Sequence, residues 1–323
     1  MIVIATKRND FFTDSVINWL LKFGVSNFVR INEDDELIIE SINFPQKNIS
    51  LSINRQKIDF DEVSFFWYRG GTLPIPKHEW LAEDKRLAQQ VKQFVNYEWK
   101  VLREFLFYML QQKEHIGNYF LAETNKLRNL CIAKECDLLI PDTYIAQNNF
   151  SEKINRGSKF IVKPIGECFP FTVNKQSYRL FTQEVDLDFL DNYTLKHFPS
   201  LLQNKIDVDF EIRVFAFYEY REFYAMAIFT AQTDNVDYRK FVATNRYLPC
   251  SLPENVRKKL LLFMKKMKLD TASFDLIKTK SGEYVFLEVN PFGNIEMINE
   301  TCGYEIDKRF AEIILDKYSD ILW

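Results

Sequence analysis

The sequence of 323 residues contains only nine glycines and three histidines, and both shortages exclude common kinds of active site. No G-x-x-x-x-G-K-[ST] or G-x-G-x-x-G motif occurs, so any nucleotide must be bound by side-chain cations and strand backbone rather than by a glycine-rich loop. His78, His115 and His197 stand in unrelated contexts, and no Ser/His/Asp or Cys/His set emerges. The sequence therefore does not support a histidine as general base.

Long apolar runs and ordered cysteine spacings are also missing. No apolar run approaches the roughly 20 residues that cross a bilayer, and the N-terminal MIVIATKRND is the reverse of a signal peptide. Five scattered cysteines without zinc or thioredoxin spacing are typical of reduced thiols in a cytoplasm. Lys and Arg are dispersed in a chain of net charge −3, which implies no attraction to nucleic acid. We predict a cytoplasmic protein without a membrane or nucleic-acid partner.

The chain is long enough, and apolar enough, for two or three packed subdomains. Its hydrophobic fraction is 47% and includes 30 Phe, which predicts a bulky core. Strand, helix and strand patterns over 1–5, 14–23 and 28–31 indicate a small α/β domain. A long amphipathic helix follows over 85–113, and its end near Ile116 is the first predicted domain boundary.

The stretch from Phe274 to Gly293 is predicted to be a β-hairpin. Two β-rich runs, 274–279 and 284–290, flank a turn that contains Ser281-Gly282. Its apolar face is the predicted core: Phe274, Leu276, Val285, Leu287 and Val289.

The length of the turn decides which residues face each other. A loop of two or four residues places Asp275 opposite Glu288 and Ile277 opposite Phe286, with Asn290 on the same face. A loop of three or five residues would shift the register by one and send the two carboxylates to opposite faces.

Two opposed carboxylates destabilise a sheet unless something offsets their charge. A hard divalent cation is one candidate, because carboxylate and amide oxygens suit magnesium and leave positions free for phosphate. The alternative is that Asp275 and Glu288 each have a nearby Lys or Arg. The sequence alone leaves both interpretations open.

Two lysines stand where they could meet a phosphate. Lys163 ends an apolar strand immediately before Pro164, although it could equally be a lysine that extends along the surface. Lys126 lies in the first turn of a predicted helix capped by Asn125, where a cation opposes the helix dipole. That placement suggests a bound anion.

One strand carries a second charged pair. Glu211 and Arg213 share a face by two-residue spacing. Arg213 could make a bidentate contact with a phosphate or carboxylate, and a plain Glu211–Arg213 surface pair is the alternative.

In their order along the chain, these residues resemble the ATP-grasp ligases over about residues 120–300. The ordered elements are Lys126 before a helix, Lys163-Pro164 after a strand, a hinge at 202–206, Glu211-Ile212-Arg213, Asp275 and Glu288-Val289-Asn290-Pro291. Within that superfamily the sequence most resembles the microviridin-type macrocyclases, the graspetide synthetases. The segments that carry this resemblance are FPSLLQNKI (198–206), FEIRVFAF (210–217), Ala231-Gln232 with Asp237-Tyr238-Arg239, and GEYVFLEVNPFGN (282–294).

The resemblance implies an α/β (α+β) protein with the ATP-grasp fold. Its parts would be an N-terminal α/β pre-grasp domain over 1–116, a central lid subdomain over 117–200 and a C-terminal subdomain over 201–323. The N-terminal IATKRNDFFTDSVINWL and FFWYRGG also resemble the subgroup whose genes accompany radical-SAM SPASM partners, the grasp-with-SPASM subgroup.

The resemblance also implies the roles of individual residues. The implied ATP-binding residues are Lys126, Lys163, Gln203, Asn204, Ile206 and Glu211, with the backbone of Asn204 and Ile206 at the adenine. The implied ligands of magnesium, as two ions, are Asp275, Glu288 and Asn290. Arg213, Arg239 and Lys163 would be catalytic, the arginines meeting the acceptor carboxylate or the acyl phosphate.

The implied activity is an ATP-dependent ligase acting on a ribosomally made precursor peptide with a leader. It would activate Glu or Asp side chains as acyl phosphates and join them to Ser/Thr hydroxyls or Lys amines as macrocyclic esters or amides. Such enzymes are commonly homodimers. The alternatives are an amino-acid ligase that modifies a protein or small molecule, like the glutamate ligases, a phosphotransferase on the same scaffold, and a binding protein without turnover.

Overall fold

The structure is a computed structural model that describes residues 1–46, 48–77, 85–122, 125–147, 159–166, 171–174, 176–178, 182–185, 198–230, 245–293 and 295–319. The chain divides into two compact units, Met1–Ala122 with Glu305–Trp323, and Glu123–Tyr304. The C-terminal helix, which the sequence analysis assigned to the last subdomain, thus groups with the N-terminal residues. The three-part division at residues 116 and 200 stays a prediction.

The described residues form the following elements. The helices are α1 Phe11–Lys22, α2 Lys85–Leu110, α3 Lys126–Glu135, α4 Glu254–Met267, α5 Glu296–Cys302 and α6 Ile306–Ser319. The strands of the first unit are β1 Ile2–Ala5, β2 Phe28–Ile31, β3 Leu37–Asn43, β4 Asn48–Ile53, β5 Gln56–Asp59, β6 Phe65–Tyr68 and β7 Glu114–Ile116. Those of the second unit are β8 Thr143–Ala146, β9 Phe160–Lys163, β10 Phe171–Val173, β11 Gln176–Tyr178, β12 Gln183–Val185, β13 Ser200–Asn204, β14 Val208–Phe217, β15 Glu222–Phe229, β16 Arg246–Cys250, β17 Thr271–Thr279 and β18 Tyr284–Asn290.

The first unit is built on a parallel sheet. Its strand order is β2-β1-β6-β7, and β1 is buried along its whole length, as expected for a central parallel strand covered on both faces. Helix α1 packs against α6, and the side chain of Asp10 caps α1 by accepting from the Thr13 backbone N–H. The predicted strand-helix-strand is confirmed. The antiparallel sheet β3-β4-β5 was not predicted.

The second unit contains a five-stranded antiparallel sheet in the order β16-β15-β14-β17-β18 and a four-stranded sheet in the order β12-β9-β13-β8. Strands β10 and β11 form a separate antiparallel pair. The α/β fold class is confirmed. No helix within the described ranges is both long and apolar enough to cross a bilayer.

One face of the five-stranded sheet is apolar. Phe274 of β17 and Phe286 of β18 are fully buried, and their rings lie 5.9 and 5.3 Å from the ring of Phe263 on α4. Aromatic pairs at these separations add to the free energy of burial. The predicted core face is confirmed for Phe274, Leu276 and Val289. Val285 is buried but pairs with Ile277 on the opposite face, Phe286 takes its place in the core, and Leu287 is only half-buried.

The predicted register of the β17–β18 hairpin is right at one end and wrong at the other. Asp275 lies opposite Glu288, but Ile277 pairs with Val285 rather than with Phe286. The Thr279 N–H donates to the Glu283 carbonyl at 2.9 Å, which leaves a three-residue loop in which Gly282 has φ 91°.

A β-bulge restores the predicted pairing nearer the site. The ladder shifts between Asp275 and Leu276, where Leu287 is the extra residue of β18. A bulge places two residues opposite one and moves the register by one. The loop and the bulge therefore cancel, and Asp275 and Glu288 face each other despite the odd loop.

Candidate active site

The centre of the site is the face of β14, β17 and β18 opposite the aromatic core. Arg213 of β14 lies in register with Asp275 of β17. Its Nε and Nη2 donate to the two Asp275 carboxylate oxygens at 2.9 and 2.8 Å. This bidentate geometry is the strongest form of such a pair. Arg213 was predicted to contact a phosphate or carboxylate, and its partner here is Asp275.

Glu288 lies beside the same pair. The Lys126 ammonium is 3.6 Å from Glu288 Oε2, so helix α3 brings a cation to β18. Burial raises the pKa of Glu288, the adjacent Asp275 carboxylate raises it further, and the Lys126 and Lys163 ammonium groups act in the opposite direction. Lys163, at the end of β9, is thus close enough to influence Glu288.

The charges around Asp275 and Glu288 bear on both interpretations of the opposed carboxylates, which are a divalent cation or a nearby Lys or Arg for each. Each has a cation beside it, as the alternative to a metal required. The pKa of Glu288 is raised first by burial and second by the adjacent Asp275 carboxylate. Two facing carboxylates with an amide on the same face also fit a divalent cation.

Asn290 ends β18 opposite Ser273. Its Oδ1 accepts from the Phe292 N–H at 2.9 Å, which bends the chain after the strand. A Cβ at Gly293 would lie 2.2 Å from the Ser273 side chain, so only glycine fits there. The buried Ser273 hydroxyl has no hydrogen-bond partner among the described residues, and it lies two residues before Asp275 on the same face.

The predicted ligand set is two carboxylates and one amide. Within the described ranges, no three or more His, Cys, Asp or Glu residues are grouped so as to hold a metal. A site made by Asp275, Glu288 and Asn290 therefore leaves coordination positions for phosphate oxygens and water, which is the usual way that magnesium is bound.

The predicted hinge lines a cleft of about 370 Å³. Asn204 and Ile206 lie on one side of it, and Thr279, Glu283 and Val285 of the hairpin lie on another. A volume of this order suits a heterocyclic base. Thr279 shares the face of β17 that carries Asp275, so the cleft and the carboxylates follow one face of the same strand.

The hinge residues differ in what they can offer a ligand. The Asn204 N–H already donates to the Asp142 carbonyl at 3.0 Å, so a backbone contact at Asn204 must use its carbonyl. The Asn204 Oδ1 is buried, and no residue that the structure describes donates a hydrogen bond to it. Gln203 is buried, and its amide donates to the Thr143 hydroxyl at 3.0 Å, so its side chain has a structural role.

Glu211 and Arg239 complete the set of predicted site residues. Glu211 lies opposite Ile277 and shares the face of Arg213. Arg239 lies outside the described residues. Asp142, which was not predicted from the sequence, lines the hinge cleft and accepts from the Asn204 amide at 3.1 Å. Nothing in the spacing of an isolated Asp after a proline distinguishes such a residue from an ordinary turn residue.

No protein-family model and no curated protein matches the chain. Solved structures do. The macrocyclase MdnC from Microcystis aeruginosa MRC, bound with its precursor peptide MdnA, is 22% identical at a TM-score of 0.75, over 98% of this chain and 99% of that one. A RiPP-associated ATP-grasp ligase from Chryseobacterium gregarium, in complex with ADP and a leader and core peptide, is 23% identical at a TM-score of 0.77, over 98% of this chain and 96% of that one.

A third similar structure, the ATP-grasp ligase PsnB complexed with a precursor variant, Mg and ADP, is 14% identical at a TM-score of 0.67 and covers 98% of both chains. These likenesses span the whole chain. The protein has the ATP-grasp fold, as the order of its motifs predicted.

Proposed function

We propose that this protein is an ATP-dependent ligase that closes side-chain rings in a ribosomally made precursor peptide. One observation carries the proposal: Arg213, Lys126 and Lys163 converge on the facing carboxylates of Asp275 and Glu288, within an ATP-grasp fold. The structurally similar proteins that bind precursor peptides support the choice of substrate.

The reaction has two steps in this proposal. An oxygen of a peptide Glu or Asp carboxylate attacks the γ-phosphorus of ATP, and the bond to the leaving ADP breaks, which gives an acyl phosphate. A Ser/Thr hydroxyl or a Lys amine of the same peptide then attacks the acyl carbon. The bond to phosphate breaks, phosphate leaves with the electron pair, and the nucleophile loses its proton. The product is an ester or an amide.

The chain's own residues would act by binding and orientation. Lys126 and Lys163 would neutralise phosphate oxygens, and the Arg213 guanidinium would hold the acceptor carboxylate or its acyl phosphate, with Arg239 as a further predicted contact. Preorganised cations of this kind stabilise the charge that develops during transfer. Asn204, Ile206 and Glu211 would hold the nucleoside, and Gln203 would support the hinge.

Asp275, Glu288 and Asn290 would hold magnesium. When bound, the metal, as two ions, supplies charge neutralisation between the β- and γ-phosphates. No enzyme nucleophile is required, in agreement with a sequence that offers none.

We also propose a homodimer, and helix α2 supports this assignment. Among its exposed side chains are Leu87, Phe94, Tyr97, Val101 and Tyr108, and an apolar cavity of about 610 Å³ lies beside it. A contiguous apolar surface of this kind marks an interaction site.

Light scattering during gel filtration tests the homodimer. A dimer is expected for the wild type and a monomer for Phe94→Glu, whereas a monomeric wild type contradicts the assignment. The cytoplasmic location and the radical-SAM SPASM partner rest on the sequence alone and stay predictions.

Mass spectrometry of the precursor peptide tests the activity. A candidate precursor, a short peptide rich in Thr/Ser/Lys and Glu/Asp sought in the neighbouring reading frames, is co-expressed with the protein, and the loss of one water for each ring is expected. Added residues would favour the amino-acid ligase, and an added phosphate would favour the phosphotransferase. Asp275→Asn is the matched control and should leave the peptide mass unchanged.

Lys163→Ala tests the nucleotide site separately. Removing one charged hydrogen bond costs about 1.5–3 kcal/mol, so titration calorimetry should show ATP affinity lower by about tenfold or more. Unaltered affinity would remove Lys163 from the phosphate site.

A further inference from the structure

Helix α3 buries a polar side chain that has nothing to bond to in this structure. Asn129 is 1% exposed, and neither its Nδ2 nor its Oδ1 has a hydrogen-bond partner in the part of the chain that the structure describes. A buried polar group without a partner destabilises the folded state by about as much as a lost hydrogen bond. An apolar side chain of similar size would avoid this penalty, so the amide calls for a functional reason.

Its place on the helix relates Asn129 to the active site. It lies one turn after Lys126, and side chains three apart on a helix are neighbours. Lys126 reaches Glu288 on β18, and α3 packs against β18. Asn129 is therefore on the side of α3 that carries the phosphate-site lysine.

The contacts of α3 with helix α4 come from other residues. Arg128 donates to the Met267 sulfur at 3.5 Å, and the Lys266 ammonium lies 2.7 Å from Glu135. These contacts attach α3 to α4 without the amide of Asn129.

Strand β18 offers the complementary partner. Leu287 is the bulge residue and has no pairing partner in β17. The chain after α3 returns to the same strand, where the Phe286 N–H donates to the Leu139 carbonyl at 2.7 Å. The start of α3 thus contacts β18 at Glu288 and the segment after α3 contacts it at Phe286. Leu287 lies between these two residues of the strand, against which α3 packs. A side-chain amide has both a donor and an acceptor, as a backbone peptide group does.

We propose that Asn129 is a positioning residue whose amide bonds the backbone of the β18 bulge when ATP and Mg²⁺ bind. The inference rests on the proposed function. With Mg²⁺ held by Glu288, Lys126 would be released from its ion pair to meet the phosphates, and the first turn of α3, which carries Lys126, would bring Asn129 within hydrogen-bond reach of β18. The new hydrogen bonds at Leu287 hold the bulge, and the bulge sets the position of Glu288. The unpaired state of Asn129 belongs to the ligand-free protein alone.

Asn129→Leu gives two measurements that should move in opposite directions. Without ligand, the melting temperature should rise by about 2–4 °C, because two unpaired groups are removed. The dissociation constant for Mg²⁺ with a non-hydrolysable ATP analogue should become about tenfold larger, because the ligand-bound state loses the hydrogen bonds between the Asn129 amide and β18. Unchanged affinity overturns the proposal, and so does a lower melting temperature, which would mean that the amide is already bonded in the free protein.

Two further variants complete the experiment. Thr72→Val in the first unit also removes a buried, unpaired oxygen among the described residues, and it should leave the nucleotide affinity unchanged. Asn129→Ala should also weaken the affinity, so the test does not depend on whether Leu fits. If the wild type itself binds no nucleotide, the proposed function fails, whereas normal binding by both Asn129 variants overturns this inference alone.

Discussion

The two faces of the β17–β18 hairpin differ in chemistry, since one is packed with aromatic side chains and the other carries charged ones. On one face Phe274 and Phe286 pack against Phe263 of α4. On the other face Asp275 and Glu288 stand opposite each other, with Arg213 and Lys126 beside them. The first face is stabilised by removing apolar area from water. The second gathers like charges that would destabilise an ordinary sheet.

The contacts that stabilise the sheet and the residues proposed to act in binding and turnover thus lie on opposite sides of the same two strands. Variants on the apolar face should therefore change folding, and variants on the charged face should change binding and turnover. Four predictions test this separation.

The largest effect is expected from Phe274→Ala on the apolar face. Truncation of a fully buried Phe removes its packing and leaves a cavity, which costs about 3–5 kcal/mol. Denaturant unfolding measures the loss. A change below about 1 kcal/mol would mean that this face is not the core that supports the site.

Asp275→Asn on the charged face should reduce turnover by about 10²–10³-fold, or about 3–4 kcal/mol, because an amide cannot replace a charged ligand of magnesium. The free energy of unfolding should change by less than it does in Phe274→Ala. Product formation from the precursor peptide is the measurement, and near-normal activity would remove Asp275 from the metal site.

Arg213→Ala should lower turnover by about 10–100-fold, since a charged, bidentate contact contributes about 1.5–3 kcal/mol. ATP affinity should fall much less, because the guanidinium is assigned to the acceptor carboxylate. Steady-state kinetics and nucleotide titration separate the two. Equal losses in both would place Arg213 at the nucleotide instead.

The smallest effect concerns pH. Because the pKa of Glu288 is raised in the folded protein, the folded state holds its proton to a higher pH than the unfolded state does. Without metal, stability should therefore fall as pH rises from the usual glutamate pKa through the raised one, by less than for a fully buried carboxyl because 43% of the Glu288 side chain is exposed. Thermal unfolding across this window should show the loss in the wild type and not in Glu288→Gln.

We expect the affinity for magnesium to show the opposite dependence on pH. The cation binds the deprotonated carboxylate, so its affinity should rise with pH over the same window. An affinity independent of pH would contradict a metal role for Glu288.

Much of the fold could be predicted from local patterns. The Asn125 cap, the two strands of the hairpin, and the strand-helix-strand of the first unit all follow from short-range chemistry, and the structure has each of them. The antiparallel sheet β3-β4-β5 was missed because its strands lack a clean alternation of buried and exposed residues.

The candidate site was predicted less completely. Which residues carry the charges could be predicted, but their partners could not, because the pairs Arg213–Asp275 and Lys126–Glu288 join residues far apart in the chain. The same limit applies to Asp142 in the hinge cleft, whose role depends on a contact with β13.

The sequence by itself determined the alternation of the hairpin, the identity of its acidic residues and the order of the motifs along the chain. Only the tertiary structure decided that the acidic residues face each other. The three-residue loop alone would have separated them, and the bulge at Leu287 brought them back together. A loop length is local, whereas the bulge lies where β18 contacts both β17 and the segment after α3, so its effect on the register is a property of the folded sheet.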